Sequence, residues 1–327
     1  MKGRQVAIVF AKLAFATGVI AWLLRKTDAA SVWANVREAH IGPILLGTVL
    51  SFLTVVIAGW RSHRLLRAIQ LEVSLLAVTA IAQIGQFFMF FLPGPAGDDL
   101  TRMLYLSRIA QDRVGEVCAT VLLDRCIGLA SVLGLAVLCI PWQWDVMSSS
   151  RPAFLLACGI LSGGAVICAC GLLFFALNRA RLERMRTWAL GFLPEGKLRR
   201  QLAHMSDLLV RNRRAVAQVI AAAVVTQVLL CFLYRLAGDA VGITAPFGTW
   251  LGFVPILLAA NAAPITIAGL GVREYLLVLY LGVVLRVPEE QALAASVIVL
   301  AMTLAVCLFG GVVYIFYRPQ GPVEERP

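Results

Sequence analysis

Charged residues, histidines and metal-binding cysteine patterns are all scarce in this sequence. Asp, Glu, Lys and Arg make up 14% of its 327 residues, whereas a soluble domain averages about 25%. Hydrophobic residues reach 60%, which excludes an ordinary soluble domain and predicts an all-α polytopic membrane protein. The three histidines lie at no metal-binding spacing, and the eight cysteines all fall in apolar segments, where cysteine usually acts as a small buried side chain. No metal and no other cofactor is therefore expected.

Motifs of soluble catalysis are missing as well. The chain has no phosphate-binding loop, no metalloprotease helix, no Gly-x-Ser-x-Gly turn and no Asp-rich metal motif. We therefore expect no enzymatic activity, although a membrane-embedded lipid transferase stays open, since such enzymes can work with scattered acids and arginines. The excess of 29 basic over 18 acidic residues fits cytoplasmic loops beside anionic lipid and argues against nucleic-acid binding.

Apolar runs long enough to cross a bilayer, at about 20 residues each, recur along the chain. They lie at about 5–24, 41–60, 115–141, 152–177, 215–237 and 292–317. The loop at 178–214 is rich in arginine, so it is predicted to be cytoplasmic and to carry an amphipathic helix on the membrane surface. We therefore expect one membrane domain over 1–327, with both termini in the cytoplasm.

Two short stretches break apolar sequence with prolines, glycines and charges. They occupy 91–102 (FLPGPAGDDLTR) and 263–274 (APITIAGLGVRE), and in each the first proline precedes the arginine by nine positions. Such breaks are tolerated at membrane depth only where the backbone is buried in protein or lines a cavity. Each stretch is therefore predicted to be the tip of a re-entrant helical hairpin. The predicted turn residues are Pro93, Gly97, Pro264, Gly269 and Gly271.

The charges that flank these stretches predict opposite orientations for the two hairpins. Basic residues at 61–72 place both ends of 73–112 on the cytoplasmic side, and both ends of 247–285 then lie outside. Hairpins that enter from opposite faces are typical of transporters built from inverted repeats. We therefore predict inverted pseudo-repeats at about 41–141 and 215–317.

Polar residues beside the two tips and inside the run at 115–141 are the candidate binding residues. They are Asp98, Asp99, Arg102, Asp124, Arg125, Asn261, Arg273 and Glu274. The guanidinium fork of an arginine matches a phosphate, so Arg102 and Arg273 are predicted to hold an anionic headgroup. The alternative is that both form only structural pairs, Arg102 with Asp99, and Arg273 with Glu274 or a carboxylate of the first hairpin.

Two further groups of polar residues lie inside the apolar run at 115–141 and at the end of the run at 41–60. Asp124 and Arg125 are adjacent and point about 100° apart on a helix, so each is expected to pair with a residue of another helix. Trp60, Arg61 and Arg64 follow the second apolar run, and they are expected to anchor that helix at the membrane interface.

Three motifs together resemble a known family. Residues 93–102 (PGPAGDDLTR), 121–125 (VLLDR) and 264–274 (PITIAGLGVRE) are similar to motifs in the flippase-like membrane domain of bacterial lysylphosphatidylglycerol synthases. The resemblance extends over essentially the whole chain, but no synthase domain accompanies it. It implies a helical bundle with inverted repeats and re-entrant hairpins in the bacterial inner membrane.

The resemblance also implies a function. It points to translocation or handling of a phospholipid or another amphiphilic lipid between leaflets, so a membrane lipid with an anionic headgroup is the expected partner. A second copy of the chain and a lipid-biosynthesis enzyme are further candidate partners. A non-transporting membrane scaffold is the remaining alternative, although a mere anchor has no need of charged, glycine-rich breaks.

Overall fold

A computed structural model describes residues 29–91, 96–144, 151–176, 211–262 and 272–317, with scattered positions between 148 and 210. Throughout these residues the regular structure is helical, which confirms the predicted all-α class. The predicted span at 5–24 and most of the loop at 178–214 lie outside the described residues. So do four of the predicted turn residues, namely Pro93, Pro264, Gly269 and Gly271.

Ten α-helices follow one another along the described residues. In chain order they are α1 (Ala29–Arg37), α2 (Ile41–Ala68), α3 (Leu75–Phe91), α4 (Ala96–Ile109), α5 (Val114–Cys139), α6 (Arg151–Ala176), α7 (Arg213–Ala240), α8 (Phe247–Ala262), α9 (Val272–Leu285) and α10 (Glu289–Phe316). Short 3-10 turns at Gln111–Arg113 and Ile140–Gln143 extend α5 at its two ends. The broken stretches therefore separate α3 from α4 and α8 from α9.

Among the described residues, four helical segments are long and apolar enough to cross a membrane. They are Ile41–Ala68, Gln111–Gln143, Arg213–Ala240 and Glu289–Phe316. Each coincides with an apolar run predicted from the sequence, and α6 covers a further run at 152–177. Because hydrocarbon satisfies no backbone hydrogen bond, a continuous helix is the expected structure of such a run. The protein is therefore a membrane protein built from helices.

The two 28-residue helices, α2 and α7, end in the same way. Two positions past each helix lies a left-handed residue, Gln70 with φ of 60° after α2 and Gly242 with φ of 80° after α7. In both cases the next backbone amide donates to the carbonyl five residues earlier at 2.9 Å. This ending satisfies a carbonyl that the helix leaves unpaired. It also turns the chain into the shorter helices α3 and α8.

The packing of the bundle joins early and late parts of the chain. Helix α2 packs against α7, α3 packs against α10, and α8 packs against α5. Buried apolar side chains form two main clusters, one centred on α2 to α5 and the other on α7 to α10. The helices on either side of both broken stretches therefore belong to one bundle.

Gly97 lies in the first turn of α4, where α3 and α4 approach closely. A Cβ atom at Gly97 would lie 2.6 Å from the carbonyl oxygen of Phe88. Across the same contact, a Cβ atom at Gly85 would overlap the carboxylate of Asp98. The absence of both side chains thus lets the two helices touch, and this contact positions Asp98 beside α3.

Gly310 marks a second close approach, between α10 and α3. A Cβ atom there would overlap the carbonyl oxygen of Gln83, whose side chain donates to the carbonyl oxygen of Val306 at 2.6 Å. We expect Gly310→Ala to lower the free energy of unfolding by about 1–3 kcal/mol, because overpacking forces the two backbones apart. Thermal unfolding in detergent measures this loss.

Gly159→Ala in α6 is the matched control, because its added methyl group meets no neighbouring helix within 4 Å. This variant is expected to keep or slightly raise the stability, since alanine favours a helix over glycine by up to about 1 kcal/mol. Equal stability of the two variants would contradict the close contact between α3 and α10.

Candidate functional site

A cavity of about 440 Å³ opens among helices from both ends of the chain. Its lining comes from α2 to α5 and from α7 to α10. Seven of the eight predicted binding residues line it, namely Asp98, Asp99, Arg102, Asp124, Arg125, Asn261 and Arg273. The eighth, Glu274, pairs directly with Arg273. The volume falls within the range of about 300–1,000 Å³ that is usual for ligand pockets.

Arg102 belongs to a buried chain of four charges that joins α2, α4 and α5. Its Nε lies 2.8 Å from Oδ1 of Asp98, and its Nη1 lies 3.5 Å from Oδ2 of Asp124. Oδ1 of Asp124 in turn lies 2.6 Å from Nη2 of Arg61. Arg61, Arg102 and Asp124 are each only 6% exposed. Because the signs alternate, every buried charge faces an opposite charge, as burial away from water requires.

The hydroxyl of Ser62 connects the same charges. It accepts a hydrogen bond from Nη1 of Arg102 at 3.1 Å and donates to Oδ2 of Asp124 at 3.3 Å. Arg61 also donates to the backbone carbonyl of Asp124 at 3.0 Å. A hydroxyl can accept and donate at once, so Ser62 fits between a guanidinium and a carboxylate. The network therefore fixes α2, α4 and α5 relative to one another.

The sequence suggested that Arg102 forms a structural pair with Asp99, and this prediction is wrong. Arg102 pairs with Asp98 and Asp124, whereas Asp99 pairs with Arg125, with 3.1 Å between Oδ2 of Asp99 and Nη1 of Arg125. Positions 98 and 99 point about 100° apart around α4, so the two carboxylates face different arginines. The expectation that Asp124 and Arg125 each pair with another helix is confirmed.

The prediction that Arg61 anchors α2 at the membrane interface is also wrong. Arg61 is buried and lines the cavity. The apolar run ends at residue 60, but α2 continues to Ala68, so Arg61 lies well inside the helix. Thr54 and Ala58 precede Arg61 by seven and three positions, so the three residues share one face of α2, and all three line the cavity. That pattern is the signal from which an inward position for Arg61 could have been inferred.

Arg273 belongs to a second buried cluster, which joins α9 to α10. Its Nη2 lies 2.6 Å from Oε1 of Glu274, and its Nε donates to the hydroxyl of Ser296 at 3.2 Å. Ser296 donates to the same Glu274 oxygen at 3.1 Å. The Arg273–Glu274 pair that the sequence suggested is therefore present. Arg102 and Arg273 share one kind of surroundings, a carboxylate together with a serine hydroxyl that bridges to a carboxylate.

Three amide side chains also belong to the polar part of the lining, namely Gln86, Gln227 and Asn261. Within the described part of the chain, the side-chain oxygens of Gln227 and Asn261 are buried and accept no hydrogen bond. Gln227 is not among the binding residues predicted from the sequence. An amide in the middle of the apolar run at 215–237 could have indicated a functional position, since polar groups inside a span are rarely incidental.

The cavity offers groups that can bind a ligand. It combines guanidinium groups that match phosphate with amide and hydroxyl groups that accept or donate hydrogen bonds. Among the described residues, no group of three or more His, Cys, Asp and Glu side chains is arranged to hold a metal ion. The arrangement suits a small polar and charged group enclosed by apolar helices.

The fold and the cavity define a helical membrane protein with a charged polar site enclosed among its helices. The family model described as Lysylphosphatidylglycerol synthase TM region matches residues 9–311, so the chain belongs to this family. The family suggested by the three sequence motifs is thereby confirmed. It is a membrane domain linked to lipid metabolism or transport. A comparison with curated proteins finds no match.

Proposed function

We propose that the protein moves an amphiphilic lipid between the leaflets of the bacterial inner membrane. The observation that carries this proposal is the shared cavity, because Arg102 and Arg273, which lie at the ends of the two broken stretches, both line it. Membership in a family linked to lipid metabolism or transport supports it. A polar headgroup cannot cross hydrocarbon unaided without a large free-energy cost, and a charged cavity among apolar helices lowers that cost.

Binding of the headgroup phosphate requires arginines that can exchange partners. Asp124 lies 2.6 Å from Arg61 but 3.5 Å from Arg102. Arg102 can therefore turn from Asp124 to a phosphate while Asp124 stays paired with Arg61. Arg273 can do the same, since the hydroxyl of Ser296 also donates to Glu274. In this proposal the two arginines bind the phosphate and the acyl chains stay in the bilayer.

Paired features of the two halves support inverted repeats as part of the proposal. Helices α2 and α7 both have 28 residues and share one type of ending. The contact of α3 with α10 has its counterpart in the contact of α8 with α5. We propose that α3–α4 and α8–α9 are re-entrant hairpins that enter from opposite faces and alternately open the site to either side.

The orientation and the energy source complete the proposal. The basic loop at 178–214 and both termini lie in the cytoplasm, as the distribution of arginines predicts. The sequence carries no nucleotide-binding motif, so the lipid moves down its gradient or together with an ion. The protein acts as a transporter and not as an enzyme, and the lipid leaves the site chemically unchanged.

Leaflet exchange in reconstituted vesicles tests the proposal. Vesicles with and without the protein are loaded with acyl-labelled fluorescent phospholipids, and a membrane-impermeant reductant quenches the outer leaflet. We expect the protein to raise the rate at which inner-leaflet label becomes quenchable. Mass spectrometry of the recovered lipids should show no change. Exchange at the rate of protein-free vesicles would contradict translocation, and conversion of the lipid would favour a transferase.

A further inference from the structure

Two buried acceptor groups in the cavity have no donor within the described residues. They are Oε1 of Gln227 on α7 and Oδ1 of Asn261 on α8. Both side chains line the cavity, and Gln227 is only 6% exposed. A buried oxygen without a hydrogen bond is rare in folded proteins and destabilises the fold. The occupant of the cavity should therefore bring hydrogen-bond donors to these two oxygens.

The charges around the cavity limit the occupant further. Four guanidinium groups line it, from Arg61, Arg102, Arg125 and Arg273. Four carboxylates face them, three on the lining and that of Glu274 on Arg273, so the formal charge of the set is zero. The tips at 92–95 and 263–271 contain no ionisable side chain and leave this balance unchanged.

A neutral set of buried charges favours a neutral occupant. A purely anionic headgroup would leave one negative charge without a counterpart at low dielectric, where an uncompensated charge is expensive. A zwitterion brings its own counter-charge, so the balance of the site is preserved. An ammonium group also carries three N–H donors, which suit two amide oxygens.

We propose that the cavity binds a zwitterionic aminophospholipid headgroup, with its phosphate on Arg102 and Arg273 and its ammonium group on Gln227 and Asn261. This inference rests on the proposed function of lipid translocation and names the substrate class of the same site. The ammonium recognition depends on its N–H donors, so a trimethylated ammonium group is a poor substitute.

Leaflet exchange with three headgroups on one labelled acyl chain tests this specificity. The probes are phosphatidylethanolamine, a zwitterion with N–H donors, phosphatidylcholine, a zwitterion without them, and phosphatidylglycerol, an anion with hydroxyl donors. We expect the parent protein to move the ethanolamine lipid about tenfold faster than the choline lipid, because hydrogen bonds to charged groups are the stronger ones. The glycerol lipid should also move more slowly than the ethanolamine lipid.

Variants of Gln227 and Asn261 test whether these two side chains produce the preference for the ethanolamine headgroup. Gln227→Met with Asn261→Leu keeps the shape of the side chains but removes both acceptors. We expect this double variant to lose the headgroup preference of the parent, so that the ratio of the ethanolamine rate to the choline rate falls about tenfold. Gln218→Met is the matched control on α7, because Gln218 is exposed and binds Arg64 outside the cavity. It should leave both rates unchanged.

Each outcome supports or overturns one proposal. If the parent moves some lipid faster than protein-free vesicles but shows equal ethanolamine and choline rates, or prefers the glycerol lipid, the aminophospholipid assignment is wrong and translocation stands. If no probe moves faster than in protein-free vesicles, the proposed translocation itself fails. The comparison of headgroups on the parent protein needs no variant, so a variant that does not fold leaves the test intact.

Discussion

Replacing Arg102 and Arg273 together with alanine is expected to reduce leaflet exchange to the rate of protein-free vesicles. Both guanidinium groups are buried, at 6% and 5% exposure, and both line the cavity. Their loss removes the proposed phosphate partners and leaves the paired carboxylates in excess, so the cavity becomes negative and repels the headgroup. Removal of one partner of a buried charge pair costs about 2–5 kcal/mol, and each 1.36 kcal/mol corresponds to a factor of ten in rate.

The controls for this expectation separate binding from folding. Arg64→Ala removes an arginine that lies over the ring of Trp60, with 5.8 Å to the ring centroid, and that does not line the cavity. This variant should translocate at the parent rate. Arg102→Lys with Arg273→Lys keeps the charge but loses the fork that matches phosphate, so an intermediate rate is expected. A double alanine variant that folds and translocates like the parent would refute the site.

Loss of Arg61 is expected to produce the largest drop in stability. Arg61→Leu removes the 2.6 Å ion pair of the buried Asp124 and leaves it with the longer 3.5 Å contact to Arg102 and the hydrogen bond from Ser62. Breaking a buried ion pair by removing one partner costs about 3–5 kcal/mol, because the remaining charge is poorly compensated. The free energy of unfolding in detergent, measured by denaturant or thermal unfolding, should fall by that amount.

Two comparisons make the effect of Arg61 specific. Arg61→Leu combined with Asp124→Leu removes both charges and should recover part of the loss, since no unpaired carboxylate remains. Arg235→Leu breaks the pair of Arg235 with Asp239 at 3.5 Å, in which both side chains are about a third exposed. Such a pair contributes at most about 1 kcal/mol. If Arg61→Leu destabilises the protein no more than Arg235→Leu does, Arg61 is not part of a buried network.

The two buried clusters divide the interior between the halves of the chain. The cluster of Arg61, Asp98, Arg102 and Asp124 ties α2, α4 and α5 together, and the cluster of Arg273 ties α9 to α10. Each arginine therefore keeps its main partners within its own half. In the proposed mechanism this separation allows the two halves to move against each other without leaving a buried charge unpaired.

Much of the architecture is determined by residues that are close to one another in the sequence. Apolar runs of about 20 residues become helices because hydrocarbon forces the backbone to pair with itself. The four long apolar helices and α6 follow from this rule. The candidate charges could be selected in the same way, because an ionisable residue among apolar neighbours stands out without any knowledge of the fold.

Partner choice and the shape of the cavity depend on the packed bundle. The selection of Asp98 over Asp99 by Arg102, and the inward position of Arg61, follow from how α2, α4 and α5 are rotated against one another. The close approach at Gly85 and Gly97 is part of that arrangement.

The sequence by itself determined a helical membrane protein of a recognisable family, the places where its helices break, and the charges that such breaks carry. The packing of the helices places Arg102 and Arg273 in the same cavity together with Arg61 and Gln227, and it leaves two amide oxygens there without a hydrogen-bond donor among the described residues. The physical reason is that helix formation and membrane insertion depend on neighbours along the chain. Ion pairs of the site join residues up to 63 positions apart, as in Arg61 and Asp124, and the lining of the cavity brings together residues from Ser51 to Val306.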